Sequence, residues 1–556
     1  MPQHIMLRSN ILAIEDFKWL FVSEIKGIQD YILGTDKLKH IIGASEIVSN
    51  ITKKIYHNVL NDLGCLEGTD YEVMQEAAGR LILLFNKKEN MDKLLAVWGI
   101  IINEYAPGAE LVYNGFQMDT SNLYNERENA LKKMRLQRQQ PSCSLPIPSL
   151  LVERCRRDGK AAVKLNPQDS KEPISNEIDK KLEAAKNSRK DLLKMFIPES
   201  DSNHSYSHLE SEELWPQDFK DLTDSNDQNY MAVMHIDVNK MGLFFIELGN
   251  NLKNADPNKF LEVNKLVSEK LLDSIKYAAQ QATKSILDEM ESKEGIYVGK
   301  TDDYNRIPLM PMRPIVLAGD DLTLVIKAPY AIRFAESYMN NFSSRAKKEL
   351  LQIINTYKLN INTGLTDLTL SAGITFTKAK FPFKVAYNLC EELCKLGKKM
   401  SQRSVSTISF YRQTTSTCDD LENLLDREFK HNDGTTVLDL SYRTYALSNN
   451  ENRLPLIADL KRIVTNFCNL PQGALRKMAT KLFDNKIIVD SAWERFVDIC
   501  SDRRSHELEK LLGNMKSITK NSTQQLWENY TNNVYRTPLV DAINLYSVTA
   551  DYYKEN

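Results

Sequence analysis

Pro314-Ile315-Val316-Leu317-Ala318-Gly319-Asp320-Asp321-Leu322-Thr323-Leu324-Val325-Ile326 sets the five residues Leu317 to Asp321 between two apolar runs. Apolar runs joined through a Gly-Asp pair predict a β-hairpin whose tight turn carries two adjacent carboxylates. Glycine supplies the backbone freedom such a turn needs, and the strand ends hold the acids in place. Adjacent aspartates repel each other, so the pair is costly unless a cation sits on it. On these residues alone a metal site and a solvated turn stand side by side.

Upstream, Met231-Ala232-Val233-Met234-His235-Ile236-Asp237-Val238-Asn239-Lys240-Met241-Gly242 reads as an apolar strand ending in one acid, then a short turn into a helix-like stretch from Leu243. Taken alone, Asp237 suits a helix N-terminus, where the dipole favours an acid. Beside the hairpin it gives the layout of a nucleotidyl-transfer palm. There, carboxylates of neighbouring strands clamp two Mg²⁺ ions roughly 3.5–4 Å apart, one on the attacking and one on the leaving oxygen. Mg²⁺ takes hard oxygen ligands and shares them with substrate phosphates, so aspartate is the expected ligand. Leu368 to Phe376 reads as a further buried strand, followed by a helix from Lys384 to Met400 with Ala386, Leu389, Leu393 and Leu396 on one face. Gly397-Lys398-Lys399 ends that helix.

The set HIDVNKMG (235–242), LAGDDLTLVI (317–326), LTLSAGITF (368–376) and FPFKVAYNLCEELCKLGKK (381–399) resembles the second palm domain of the Cas10/Cmr2 proteins. Those are the large subunits of type III CRISPR complexes and their relatives outside such complexes; a remoter similarity is to GGDEF cyclases. The resemblance implies an α+β chain with two ferredoxin-like palm domains, the first degenerate, and a C-terminal α-helical domain. The family's GGDD is matched by Ala318-Gly319-Asp320-Asp321, its strand-one acid by Asp237, and its helix-end lysine by Lys398, preceded here by Gly397 rather than alanine. Its Asp-Gly-Asn turn becomes Asp237-Val238-Asn239. The implied catalytic and metal-binding set is Asp237, Asp320 and Asp321, with the backbone of Val238, holding two Mg²⁺ (or Mn²⁺) ions. Asn239, Lys240, Gly319, Lys398 and Arg80 are the implied nucleotide contacts, with Lys398 steadying the leaving triphosphate. The implied reaction joins nucleoside triphosphates, ATP favoured, into a cyclic or short oligonucleotide messenger of antiviral defence. The rival is a scaffold subunit of a type III CRISPR-like RNA-guided complex, non-catalytic or switched on by RNA, with partner subunits. A GGDEF-type diguanylate synthase would need Glu-Phe after the acids, where this chain has Leu322-Thr323.

The same pattern occurs earlier in decayed form. Leu20 to Gln29 reads as strand, turn and helix, and Ala77 to Phe85 stands where the acidic hairpin would be. In this reading Glu24 takes the place of Asp237, and Gly79-Arg80 replaces Gly319-Asp320. The stretch Lys37 to Ser45 also matches the family's first-palm pattern, and that palm is implied to help form the nucleotide pocket. Arg80 and Lys26 read either as phosphate contacts or as ordinary surface charge.

At 556 residues the chain has room for three or four domains. The expected division is 15–125 (degenerate palm), 126–228 (basic helix and polar linker), 229–412 (catalytic palm) and 415–556 (α-helical). Within the second part, Glu126 to Gln140 is a basic helical stretch: a solvated face, or an RNA or phosphate contact through Lys132, Lys133, Arg135 and Arg138. A further helix is expected over Ile174 to Met195, and after Thr414 the pattern is amphipathic and helical to the end. Charge is balanced, with 72 Lys+Arg against 74 Asp+Glu, which argues against broad nonspecific nucleic-acid affinity. Met1 to Asn10 lack a signal-peptide apolar core and no run of 18 apolar residues occurs, so a cytoplasmic protein with no membrane partner is expected. Eight cysteines include no CxxC pair, and the stretch between the palms offers only Cys143 and Cys155, which argues against zinc. No histidine is followed by aspartate, so no HD-type DNase module is expected.

Overall fold

The computed structural model describes residues 16–77, 79–139, 151–167, 169–186, 191–200, 202, 204–223, 230–300, 307–319, 321–414, 420–432, 434, 436–520, 525–531 and 533–553. The first unit contains β1 (Trp19–Lys26), α1 (Ile28–Ile32), α2 (Leu38–Asn50), α3 (Tyr56–Asp62), β2 (Tyr71–Ala77), β3 (Arg80–Phe85), α4 (Lys88–Tyr105), β4 (Glu110–Gln117) and α5 (Leu123–Arg138). Its antiparallel sheet has the order β2-β3-β1-β4. The interior strand β1 is buried along nearly its whole length, and its first half, Trp19 to Val22, is accordingly a continuous apolar run rather than an alternation.

A small connecting unit follows: the hairpin β5 (Ala162–Asn166) and β6 (Asp169–Ser175), then α6 (Asn176–Lys186) and α7 (Asp191–Lys194). The helix expected over Ile174 to Met195 starts later than its sequence suggests, and residues 187–190 of that stretch lie outside the described residues. Ile174 and Ser175 are held in the β5–β6 ladder, where they pair with Lys164 and Ala162, and α6 begins only after them.

The second palm holds β7 (Tyr230–Val238), α8 (Met241–Leu252), α9 (Pro257–Glu294), β8 (Met312–Ala318), β9 (Asp321–Lys327), α10 (Ala331–Tyr357), β10 (Leu370–Lys378), α11 (Phe383–Met400) and β11 (Thr407–Arg412). After it come α12 (Leu421–Phe429), β12 (Lys430–Asn432), β13 (Val437–Asp439), β14 (Thr444–Ala446), α13 (Ile457–Cys468), α14 (Gln472–Lys481), α15 (Lys486–Thr519), β15 (Glu528–Thr531), β16 (Val534–Arg536) and α16 (Leu539–Tyr553). The large sheet has the order β14-β11-β10-β7-β9-β8. Pro314, which cannot donate to a ladder, sits on the edge strand β8 beside a bulge. The end of the chain is not helical throughout. Four short strands form a sheet of their own, β12-β13-β16-β15, and β14 joins the palm sheet beside β11.

The two palms repeat one topology. In each, the first strand lies between the second strand of the hairpin and the fourth strand: β2-β3-β1-β4 in one, β8-β9-β7-β10 in the other. They also pack reciprocally. The start of α11 meets the α1–α2 segment, where the Phe383 N–H donates to Asp36 (2.9 Å) and Lys384 pairs with Asp30 (2.9 Å). On the other side α5 approaches α8, where Gly249 leaves room for the Tyr124 ring. Each palm thus sets the helix after its fourth strand against the segment after the other's first strand. Among the described residues no helix is long and apolar enough to cross a membrane.

Candidate active site

Asp237 lies near the end of β7 and faces Asp321, the first residue of β9, across the ladder. The hairpin predicted at Leu317 to Asp321 is present, with Ala318 paired to Asp321. Gly319 takes φ 66°, the positive value that a tight hairpin turn requires. Asp320 lies outside the described residues. Asp237 and Asp321 both sit on ladder-paired backbone of interior strands, at the end of the sheet nearest the end of α11.

That helix delivers Lys398. Its Nζ is 2.5 Å from Asp237 Oδ2, and both side chains are largely shielded, at 17% and 23% exposure. The glycine before Lys398, where the family has alanine, has a local cause. A Cβ at Gly397 would stand 2.7 Å from Thr407 Oγ1 on β11, closer than packing allows. The helix can lie this low on the sheet because Gly373 on β10 likewise presents no side chain to the Cys390 carbonyl. Cys390 and Cys394 are packing groups: burial pushes both thiols up to about 12, and their sulfurs lie 3.0 Å from Val233 O and 3.2 Å from Ser371 O.

One member of the site is not anticipated by the sequence reading. His235 lies two residues before Asp237 and therefore on the same face of β7. That spacing was the available signal, obscured by the apolar run around it. Its Nδ1 is 3.3 Å from Thr323 Oγ1, its Nε2 is 4.0 Å from Asp321 Oδ1, and its ring stands edge-on to Tyr387 at 5.6 Å. Burial holds the imidazole below the ordinary histidine range, against the pull of nearby Asp237. Ligand atoms of His235, Asp237 and Asp321 all lie within 4.8 Å of one another. Two carboxylates and an imidazole so gathered suit a divalent cation.

The remaining sequence-derived residues fall in distinct places. Val238 pairs with Leu370 across β10 and buries its side chain in the core. The Asn239 side chain is 1% exposed and spent on the fold, its amide nitrogen donating to Thr369 Oγ1 (3.0 Å) and Ser371 Oγ (3.2 Å). Lys240 caps α8 with φ 64°, a left-handed conformation. Arg80 and Arg138 are drawn together on Glu24, at 2.5 and 3.3 Å. Lys133 lies over the Phe116 ring at 5.4 Å, and Lys132 and Arg135 are exposed on α5.

The first palm mirrors the second with altered charges. Glu24 pairs with Arg80 across β1–β3 as Asp237 pairs with Asp321 across β7–β9. Each acid is followed three residues later by a left-handed residue that opens a helix, Gly27 or Lys240. Arg138 is the sixteenth residue of α5 and Lys398 the sixteenth of α11, and each pairs with its own palm's strand-end acid. The ladder thus corrects the sequence alignment by one position. Arg80 stands where Asp321 stands, not where Asp320 does, because Ala77 pairs with Arg80 as Ala318 pairs with Asp321.

Residues 230–406, which hold Asp237, the hairpin and Lys398, match the profile of Cas10/Cmr2, second palm domain. This segment is similar to a Cas10/Cmr2 second palm domain. None of the curated proteins matches the chain closely enough to count as a relative. Among solved structures, the chain is similar to Csm1 in T. onnurineus, with 14% identity and a TM-score of 0.46 over 96% of this chain and 70% of that one. It is also similar to a Csm1-Csm4 cassette in complex with cA4, with 13% identity and a TM-score of 0.41 over 91% and 70% of the two chains. For a Csm1-Csm4 cassette in complex with pppApA the values are 14% and 0.41 over 69% of this chain, which spans 53% of that one. The match covers β7 to β10 and α8 to α11, while the first palm is tied to it by its own repeated topology.

Proposed function

We propose that this chain is a nucleotidyltransferase that joins nucleoside triphosphates, ATP first among them, into a cyclic or short oligonucleotide that signals in antiviral defence. The observation that carries the proposal is the convergence of Asp237, Asp321 and Lys398 at one end of the palm sheet. Asp237, Asp320 and Asp321, with the backbone of Val238, are the residues that would hold two Mg²⁺ or Mn²⁺ ions. Such ions, when bound, favour deprotonation of the attacking ribose hydroxyl and neutralise charge at the α-phosphorus. Lys398, which now neutralises Asp237, is placed to exchange that partner for the leaving triphosphate. Gly319 lets backbone approach the phosphates, and Lys240 offers a cation at the N-terminus of α8, where anions are favoured. Asn239 contributes by tying the β7–α8 turn to β10 rather than by touching nucleotide. The first palm seats the partner nucleotide.

The test is direct. Purified protein is incubated with Mg²⁺ and each of the four nucleoside triphosphates, and the products are identified by mass spectrometry. A phosphodiester-linked product from ATP, lost in excess EDTA, is expected. Absence of such a product from all four nucleotides, with and without added RNA, overturns the proposal.

A further inference from the structure

We propose that His235 is a third protein ligand of the metal, through Nε2, and that it makes the site take Mn²⁺ in preference to Mg²⁺. The inference rests on reading Asp237 and Asp321 as metal ligands and adds to it a residue and a selectivity. His235 and Thr323 form the rung of the β7–β9 ladder two residues inside the Asp237–Asp321 rung, so all four side chains emerge on one face. Thr323 Oγ1 lies 3.3 Å from Nδ1 and, as a hydroxyl oxygen, can accept an Nδ1–H. In the tautomer with its proton on Nδ1, this bond leaves the bare lone pair on Nε2, as the proposal requires.

Nε2 stands 4.0 Å from Asp321 Oδ1, too far for a hydrogen bond between them. Two donors about 2.1 Å from a common six-coordinate ion lie between about 3 and 4.2 Å apart, and this separation falls in that span. Tyr387 braces the ring edge-on at 5.6 Å, so the lone pair is held in position rather than swung into it. Imidazole is a poor partner for Mg²⁺, which prefers oxygen, and a good one for the transition metals. The first palm supplies an internal contrast. Counted back from Glu24, the place of His235 is held by Val22, and Arg80 faces Glu24 where Asp321 faces Asp237. Imidazole and second acid are missing together.

The test reads coordination rather than turnover. The protein without nucleotide is titrated with Mn²⁺, followed by electron paramagnetic resonance, and the bound ion is examined by electron spin-echo modulation for a directly bonded ¹⁴N. A ¹⁴N modulation is expected in the wild type and its loss in His235→Phe, which keeps an aromatic ring against Tyr387. The variant should bind Mn²⁺ about tenfold more weakly, while Mg²⁺ affinity, measured by competition, stays within about twofold. Mn²⁺ binding that depends on Asp237 but shows no ¹⁴N modulation in the wild type overturns this inference and leaves the two-carboxylate reading intact. No Asp237-dependent Mn²⁺ binding overturns both. The wild-type spectrum decides the point even if the variant does not fold.

Discussion

Asp237 and Glu24 occupy equivalent positions in two copies of one sheet, and what faces each across the ladder sets its chemistry. Asp237 faces another acid and has Lys398 at 2.5 Å, whereas Glu24 is enclosed by two guanidiniums. Converting Asp320 and Asp321 together to asparagine should lower product formation by about a thousandfold or more, since the charge-neutralising ions lose their ligands. The melting temperature in metal-free buffer should stay equal or rise slightly, because two adjacent charges are removed. Full activity in that folded variant would sink the assignment. Glu24→Gln should behave oppositely. It leaves Arg80 and Arg138 without their anion, and since solvent reaches both, the cost should be about 1–2 kcal/mol of stability. Turnover at saturating nucleotide should survive. Denaturant melts and initial rates on both variants separate the two roles, and equal loss of turnover at Glu24 and Asp237 would contradict the assignment of Glu24 as a structural anchor.

At the level of single elements, α11 is placed by what it lacks. Gly397→Ala should press a methyl onto Thr407 Oγ1, lift the last turn of the helix and draw Lys398 away from Asp237. A loss of about 1–3 kcal/mol is expected from such overpacking, with turnover falling alongside. Adding Thr407→Ala should restore both, which a merely propensity-driven effect of alanine would not require. A second element, α16, is latched by Asp541, whose buried carboxylate accepts from Ser441 Oγ (2.6 Å), the Tyr442 N–H (2.8 Å) and Tyr445 Oη (2.6 Å). Burial outweighs these donors and raises its pKa from 3.8 to about 6. The folded state therefore binds this proton more tightly than the unfolded state. Asp541 should make stability fall as pH rises from about 4 to about 6 and have no further effect above that. Melting temperatures of wild type and Asp541→Asn across that range check the sign: the variant should lose this part of the slope. The strands and helices around the site were legible in the sequence because long apolar runs and a four-residue helical spacing survive any context. The three-residue strands β12, β13, β14 and β16 were not, since so short a run carries no period. Nor was the one-residue shift at Arg80, because hairpin register is fixed by ladder pairing, and both Gly79 and Gly319 look equally suited to a turn.

Across the whole molecule, the two palms face each other reciprocally within one chain. At Gly249 the Tyr124 ring fills the space a side chain would need. Gly249→Leu should wedge the palms apart, raising the nucleotide KM by about tenfold, equivalent to about 1.4 kcal/mol of lost binding, with a smaller effect on kcat. Steady-state kinetics on the variant test this, and an unchanged KM would remove the first palm from the pocket. Arg138, engaged with Glu24, is withdrawn from the basic face of α5, leaving Lys132, Lys133 and Arg135 for any RNA contact. Basal synthesis by purified protein without guide RNA is expected, and turnover that appears only with a guide-RNA assembly and its complementary target would favour the complex-subunit reading instead. The mirrored acids carry one last consequence. In the first palm a covalently attached guanidinium at position 80 does permanently what a diffusible ion would do in the second. One half of the molecule is thus always loaded, indifferent to chelator, while the other can be emptied. Stripping metal should therefore soften the chain on one side only. In hydrogen exchange the β7–β9 end should loosen in EDTA, while the β1–β3 end serves as its built-in unchanging standard.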